Sequence, residues 1–172
     1  MGGSAGGYLA AMTGATNGVK KFDVGEHLNE SSKVKAVVDT YGVSDLTKIG
    51  EDFGPENEKL HASPGATEAL WVNGSGVFGG KDGGINAVPE ATKNAQIFTY
   101  ITKTAPPYLI FYGTNDKVVS PSQSKHLYDA LRAKNIDAVL IEVKDAKHGG
   151  DYWVQPGIMS EVIAFFNSYL KH

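Results

Sequence analysis

Apolar residues along the chain fall into two kinds of run. Residues 34–41, "VKAVVDTY", are a β-branched run closed by Gly42 and predict a buried strand followed by a turn. "PPYLIFYG" (106–113) is opened by a proline pair and closed by Gly113, and its unbroken apolar character predicts a strand covered on both faces. "DAVLIEV" (137–143) predicts a third strand. Helical spacing surrounds these strands. "YLAAM" (8–12) runs in good helix formers towards Gly14, a plausible stop. In "SPSQSKHLYDALRAKN" (120–135), Leu127, Ala130 and Leu131 share a face behind Pro121. In "MSEVIAFFNSYLKH" (159–172), Val162, Ile163, Phe166, Tyr169 and Leu170 are expected on one face. "VSDLTKI" (43–49) reads as a short helix capped by Ser44. Strands alternating with helices in this way indicate a parallel α/β architecture with right-handed crossovers.

Between residues 51 and 105 the texture changes. "HASPGATEALWV" and "NAVPEATKNAQ" predict two short helices, each with a proline near its first turn. The stretch between them, "NGSGVFGGKDGG", holds six glycines in twelve residues and has no periodicity, which makes it a loop. A long irregular excursion inside one domain is usually functional, and its place between strands suits a cap over a binding site. No internal repeat or second domain is visible, so residues 1–172 read as one unit with a cap-like excursion.

Length and composition narrow the function class. The 172 residues are 41% hydrophobic and 20% charged, enough to bury a core. The net charge is −3 and no basic run clusters on one segment, which argues against nucleic acid and for a small-molecule partner. No apolar stretch approaches the roughly 18 residues of a membrane span. The absence of cysteine excludes disulfides, thiol catalysis and cysteine-ligated metals.

The chemistry-bearing residues begin at the second position. Gly2-Gly3-Ser4-Ala5-Gly6 is a G-x-S-x-G pattern, which presents a serine on a sharp turn at a helix N-terminus. A serine hydroxyl is a weak nucleophile and needs a base, which in turn needs a group to orient it. Asp116 follows the strand "YLIFYG" in "GTNDKVV", and His148 follows "AVLIEV" in "KDAKHGGDYW". The order Ser4, Asp116, His148 is that of the α/β-hydrolase fold, and each lies just past the carboxyl end of a predicted strand or at the turn into a helix, the edge of a parallel sheet where ligands bind.

Other residues carry weaker signals. His27, His61 and His126 have no metal-ligand spacing between them and read as solvated or capping side chains. Asp39, at the end of "VVD", reads as structural because it precedes the excursion and not the histidine strand. Asp145 and Asp151 read as surface turns. Lys81 is followed by Asp82, not by Ser or Thr, so the Gly-rich stretch is no phosphate loop. Trp71, Phe78 and Trp153 are candidates for an acyl or aromatic pocket, with core or rim packing the competing role for the two tryptophans.

The segments "GGSAGG", "PPYLIFYGTNDKVVSPSQSKHLYDAL" and "VKDAKHGG" resemble the esterase and lipase branch of the α/β-hydrolase superfamily, in particular bacterial feruloyl and acetyl-xylan esterases. The similarity runs over almost the whole chain and is weakest between about residues 73 and 87. It implies Ser4 as nucleophile, His148 as general base and then acid, Asp116 as its orienter, and the Ala5 N–H as an oxyanion donor. It also implies ester hydrolysis through an acyl-enzyme, with no metal or cofactor and a small-molecule ester, of the carbohydrate-linked kind the resemblance suggests, as substrate.

The family's earlier strands and its HGGG-type motif have no counterpart here. Members read V-M-G-x-S-A-G-G across the elbow, so Met1 is expected to be an internal methionine. The expected structure is a partial α/β-hydrolase fold: three parallel strands flanked by helices, with the strand at 34–41 left as an open edge. Such an edge seeks a partner, and self-association or an N-terminal partner half would cover it. Two rival functions accompany this reading: an inert fragment that acts only with another chain, and a serine peptidase of the prolyl-oligopeptidase type.

Overall fold

The computed structural model describes residues 1–76, 80 and 83–170; Phe78, Lys81 and Asp82 lie outside them. Its strands are β1 (Gly2–Gly3), β2 (Val37–Thr40), β3 (Tyr108–Gly113) and β4 (Ala138–Val143). Its α-helices are α1 (Ala5–Ala15), α2 (Pro55–His61), α3 (Thr67–Asn73), α4 (Pro89–Ala95), α5 (Ser122–Ala133) and α6 (Pro156–Leu170). The four strands form one parallel sheet in chain order.

The expected count of three strands is therefore corrected to four. The additional strand is the glycine pair in front of Ser4, aligned with Asp39 and Thr40. Two glycines have no apolar pattern to announce a strand, and this one is defined by its pairing. The edge of β2 is accordingly covered at Asp39 and Thr40, while among the described residues its upstream half pairs with β3 alone.

Alternation along the strands distributes the core between two faces. Tyr108 and Ile110 join Val37, Ala11, Leu127 and Leu131 under α1 and α5. Leu109 and Phe111 join Val38, Trp153, Val162 and Phe165 under α6. All six residues of β3 are buried, as a central parallel strand requires. Helix α6 is rotated from the expected face. Val162 and Phe165 point inward with Phe166 and Tyr169 beside them, whereas Ile163 and Leu170 are exposed.

The segment 43–49 is not a helix. Its backbone is held from outside by Gln123, a fully buried residue of α5. The Gln123 Oε1 accepts the N–H groups of Ser44 (2.9 Å) and Asp45 (2.8 Å), and its Nε2 donates to the Lys48 carbonyl (2.9 Å). Ser44 donates its hydroxyl to the Gln123 carbonyl at 2.6 Å instead of capping a helix. The turn is completed locally by Asp45, whose Oδ1 accepts from the Thr47 backbone and hydroxyl.

Among the described residues the excursion contains three short α-helices, α2 to α4. Helix α2, "PENEKLH", has no apolar periodicity to reveal it. Val43, Leu46, Ile49, Ile85 and Val119 form a separate apolar cluster that joins the excursion to the body. Gln96 reinforces the junction, donating to Asp45 Oδ1 (2.8 Å) and accepting from the Leu46 N–H (3.2 Å). His61 is not solvated: it contacts the buried Glu68 at 2.6 Å. No helix among the described residues is long and apolar enough to cross a membrane.

Candidate active site

Ser4 stands between β1 and α1 with φ 56° and ψ −123°, a left-handed conformation that costs a non-glycine residue about 1–3 kcal/mol. Its neighbours hold it there. The Ser4 N–H donates to the Thr40 carbonyl (3.0 Å), its own carbonyl accepts the Tyr8 N–H (3.0 Å), and the Thr40 hydroxyl donates to the Gly2 carbonyl (2.8 Å). The turn is so tight that a Cβ on Gly2 would come within 2.3 Å of the Gly6 carbonyl oxygen. That contact explains the glycine in front of the serine.

The three residues separated by up to 144 positions meet at the carboxyl edge of the sheet. Ser4 Oγ lies 2.8 Å from His148 Nε2, and His148 Nδ1 lies 2.8 Å from Asp116 Oδ2. Asp116 is buried, and its other oxygen accepts the N–H groups of Val118 (2.8 Å) and Val119 (3.0 Å). This fixed carboxylate selects the tautomer in which Nδ1 carries the proton and donates to it. Nε2 is then left with a lone pair facing the serine hydroxyl.

Aromatic packing orients the imidazole. Tyr41, at the end of β2, meets the His148 ring edge-on with centroids 4.9 Å apart and is itself 4.5 Å from the Trp153 ring. Trp153 donates its indole N–H to the Lys147 carbonyl at 3.1 Å, pinning the histidine loop. Burial raises the Tyr41 phenol above its ordinary value, and the negative charge of Asp116 adds to the effect. Trp153 stood out in the sequence, but Tyr41 did not; its one signal was its position at the turn closing a strand. Trp153 is core packing behind the histidine. Trp71 is 47% exposed and lies elsewhere, against Tyr8 on α1.

Ala5 is the first residue of α1, so its N–H has no acceptor within the helix. Helix N-termini of this kind favour negative charge. Taken together, the arrangement can deprotonate the serine hydroxyl, hold the resulting imidazolium and stabilise an oxyanion beside Ser4.

Asp39 has no part in this chain of contacts. It is fully buried, and neither carboxylate oxygen has a hydrogen-bond partner of ordinary geometry. It fits between Gly7 of α1 and Gly42, where a Cβ on either glycine would approach its Oδ1 to 2.2 Å. Burial pushes its carboxyl up to about 7, with the Gly42 amide opposing. Asp145 and Asp151 are exposed near His148, and His126 contacts Glu51 at 3.3 Å. Among the described residues no group of three or more His, Asp or Glu side chains is placed to hold a metal ion.

Known proteins resemble this chain in sequence and fold. The chain is 28% identical to Esterase LipC of Mycobacterium tuberculosis over 167 residues, covering 95% of this chain and 38% of LipC. It is 27% identical over 131 residues to LipM of the same organism, a probable carboxylic ester hydrolase, covering 76% of this chain and 27% of that one. The solved structure of a truncated carbohydrate esterase from gut microbiota superposes with a TM-score of 0.79 at 26% identity, over 96% of this chain and 56% of the other. The chain thus spans well under half the length of these two curated relatives. The profile of the BD-FAE family matches residues 1–131, the segment from the serine elbow to the end of α5's buried face, and the chain belongs to that family of α/β-hydrolase esterases.

Proposed function

We propose that this chain hydrolyses carboxylic esters by acyl transfer to Ser4. The observation that carries the reading is the continuous contact from Ser4 Oγ through His148 to Asp116, both links 2.8 Å long. In acylation, Oγ attacks the ester carbonyl carbon while Nε2 takes the hydroxyl proton. The Ala5 N–H donates to the carbonyl oxygen as it becomes negative, and removing one such donor typically costs about 100- to 1000-fold in rate. Collapse of the tetrahedral intermediate breaks the bond to the alcohol, whose oxygen receives the proton from Nε2. Water then attacks the acyl-enzyme by the same route, releasing the acid and restoring Ser4. Asp116 stays ionised throughout and steadies the imidazolium.

The likeness to a carbohydrate esterase supports a sugar-linked ester, acetyl or feruloyl, as substrate. The test of the reaction class is turnover of 4-nitrophenyl butyrate by the purified chain. Burst release of nitrophenol, abolished in Ser4→Ala and His148→Ala, supports it; turnover that survives Ser4→Ala refutes it.

A second reading is favoured by the sheet edge. β1 aligns with Asp39 and Thr40, and among the described residues no strand pairs with Val37 and Val38 of β2 on that side. If a partner strand on this edge is needed to hold the elbow, specific activity rises with protein concentration; activity independent of concentration assigns the reaction to the single chain.

A further inference from the structure

We infer that the cavity between α1 and the excursion is the acyl-binding site of this enzyme, that of the acyl groups named above it favours those longer than acetyl, and that Trp71 sets the selectivity. The inference rests on the ester-hydrolase reading above. The cavity has a volume of about 650 Å³ and is walled by Ala5, Tyr8, Leu9, Leu46, Trp71 and Asn94 with small aliphatic side chains between them. That volume suits an ordinary small-molecule site and far exceeds the needs of an acetyl group.

The chemistry of the walls is apolar even where the residues are not. The Tyr8 hydroxyl is engaged, donating to the Ala95 carbonyl at 2.8 Å. The Asn94 amide donates to Glu90 and accepts from Lys21 (both 3.2 Å). The rings of Tyr8 and Trp71 stack with centroids 6.3 Å apart and planes 27° apart, giving one continuous aromatic wall. Leu9 and Trp71 are 62% and 47% exposed. Such large apolar side chains clustered at a cavity beside a nucleophile have a reason to be in water if a ligand covers them.

Geometry decides which half of the ester enters. Ala5, with the oxyanion-donating N–H, is itself part of the wall, so the carbonyl carbon sits at the cavity mouth. The departing alcohol oxygen has to receive its proton from His148 Nε2. His148 is held from the other side, by Tyr41 and Trp153, and no residue of its loop lines the cavity. The alcohol therefore leaves towards the histidine and the acyl group occupies the cavity.

The experiment compares wild type, Trp71→Ala and Trp71→Phe on 4-nitrophenyl acetate, butyrate and hexanoate, and on hexanoate esters of several alcohols. Alongside it, methyl hexanoate is titrated into Ser4→Ala while tryptophan fluorescence is followed. Expected are a loss of about tenfold or more in kcat/KM for hexanoate in Trp71→Ala, a change under twofold for acetate, and partial retention in Trp71→Phe. The deacylation rate of the hexanoyl-enzyme falls by one factor whatever the alcohol, because the alcohol has already left. A loss equal across acyl lengths, or one that follows the alcohol, overturns the assignment. Saturable fluorescence change without ester turnover by wild type would retain the cavity as an apolar binding site and refute the hydrolase reading. Turnover without fluorescence change or acyl selectivity would do the reverse.

Discussion

Asp39 makes a prediction whose sign is unusual for a carboxylate. Its side chain is fully buried between Gly7 and Gly42 without a hydrogen-bond partner of ordinary geometry, and burial, opposed by the Gly42 amide, lifts its carboxyl from the ordinary 3.8 to about 7. The folded protein therefore holds a proton that the unfolded chain releases between about pH 4 and pH 7. Stability changes with pH as the difference in protons bound by the unfolded and native states, so this group makes the protein less stable as pH rises through that window. A shift of roughly three units, at 1.36 kcal/mol each, corresponds to about 4 kcal/mol between pH 4 and pH 8. Asp39→Asn removes the titration and keeps the shape. At pH 4 the variant is expected to be less stable by about 1–3 kcal/mol, because a buried amide N–H gains no acceptor. By pH 8 the difference reverses as the wild type bears a buried charge. The assay is urea unfolding of both proteins at one-unit intervals of pH, with tryptophan fluorescence as the signal. Groups common to both proteins cancel in the difference, and the neighbouring Tyr108 phenol, raised by burial and by Asp39, stays neutral throughout. A difference that stays flat with pH, or that increasingly favours Asp39 as pH rises, refutes the reasoning.

Two further substitutions probe how the site is held. Gln123→Ala strips the Ser44 and Asp45 N–H groups and the Lys48 carbonyl of their partner, and an unfolding midpoint equivalent to about 3–5 kcal/mol of lost stability is expected; a loss below about 1 kcal/mol would mean that water replaces the amide. Gly2→Ala drives a methyl group to within 2.3 Å of the Gly6 carbonyl and forces the elbow to shift. A displacement of about 1 Å there is expected to lower ester turnover about 100-fold with the circular dichroism spectrum unchanged, and unaltered turnover would show that the turn has room to spare.

The parts of the molecule legible in the sequence are those whose burial is continuous. β3 could be read because all of its six residues are covered on both faces, and Asp116 because it follows directly from that strand; His148 follows β4, which is partly exposed but carries the apolar run "AVLI" that marks it as a strand. Other elements are decided by partners distant in the chain. β1 is a strand only through Asp39 and Thr40, and 43–49 is a loop because Gln123, about 80 residues away, takes its backbone hydrogen bonds. Helix α6 has apolar residues on more than one face, so periodicity alone chose Ile163 and Leu170 where the sheet takes Phe165. The chemistry of the cavity was half visible: Trp71 stood out as a large aromatic, but its stacking on Tyr8 depends on how the excursion folds back onto α1.

The central claim is that Ser4 is an activated nucleophile in this chain. The most direct measurement is the intact mass of the purified protein after treatment with a fluorophosphonate, with Ser4→Ala treated in parallel. The account predicts one covalent adduct on the unaltered protein, formed through attack of Ser4 Oγ on phosphorus with loss of fluoride, and none on the variant. A folded protein that takes up no adduct, or an adduct that persists in Ser4→Ala, would contradict it.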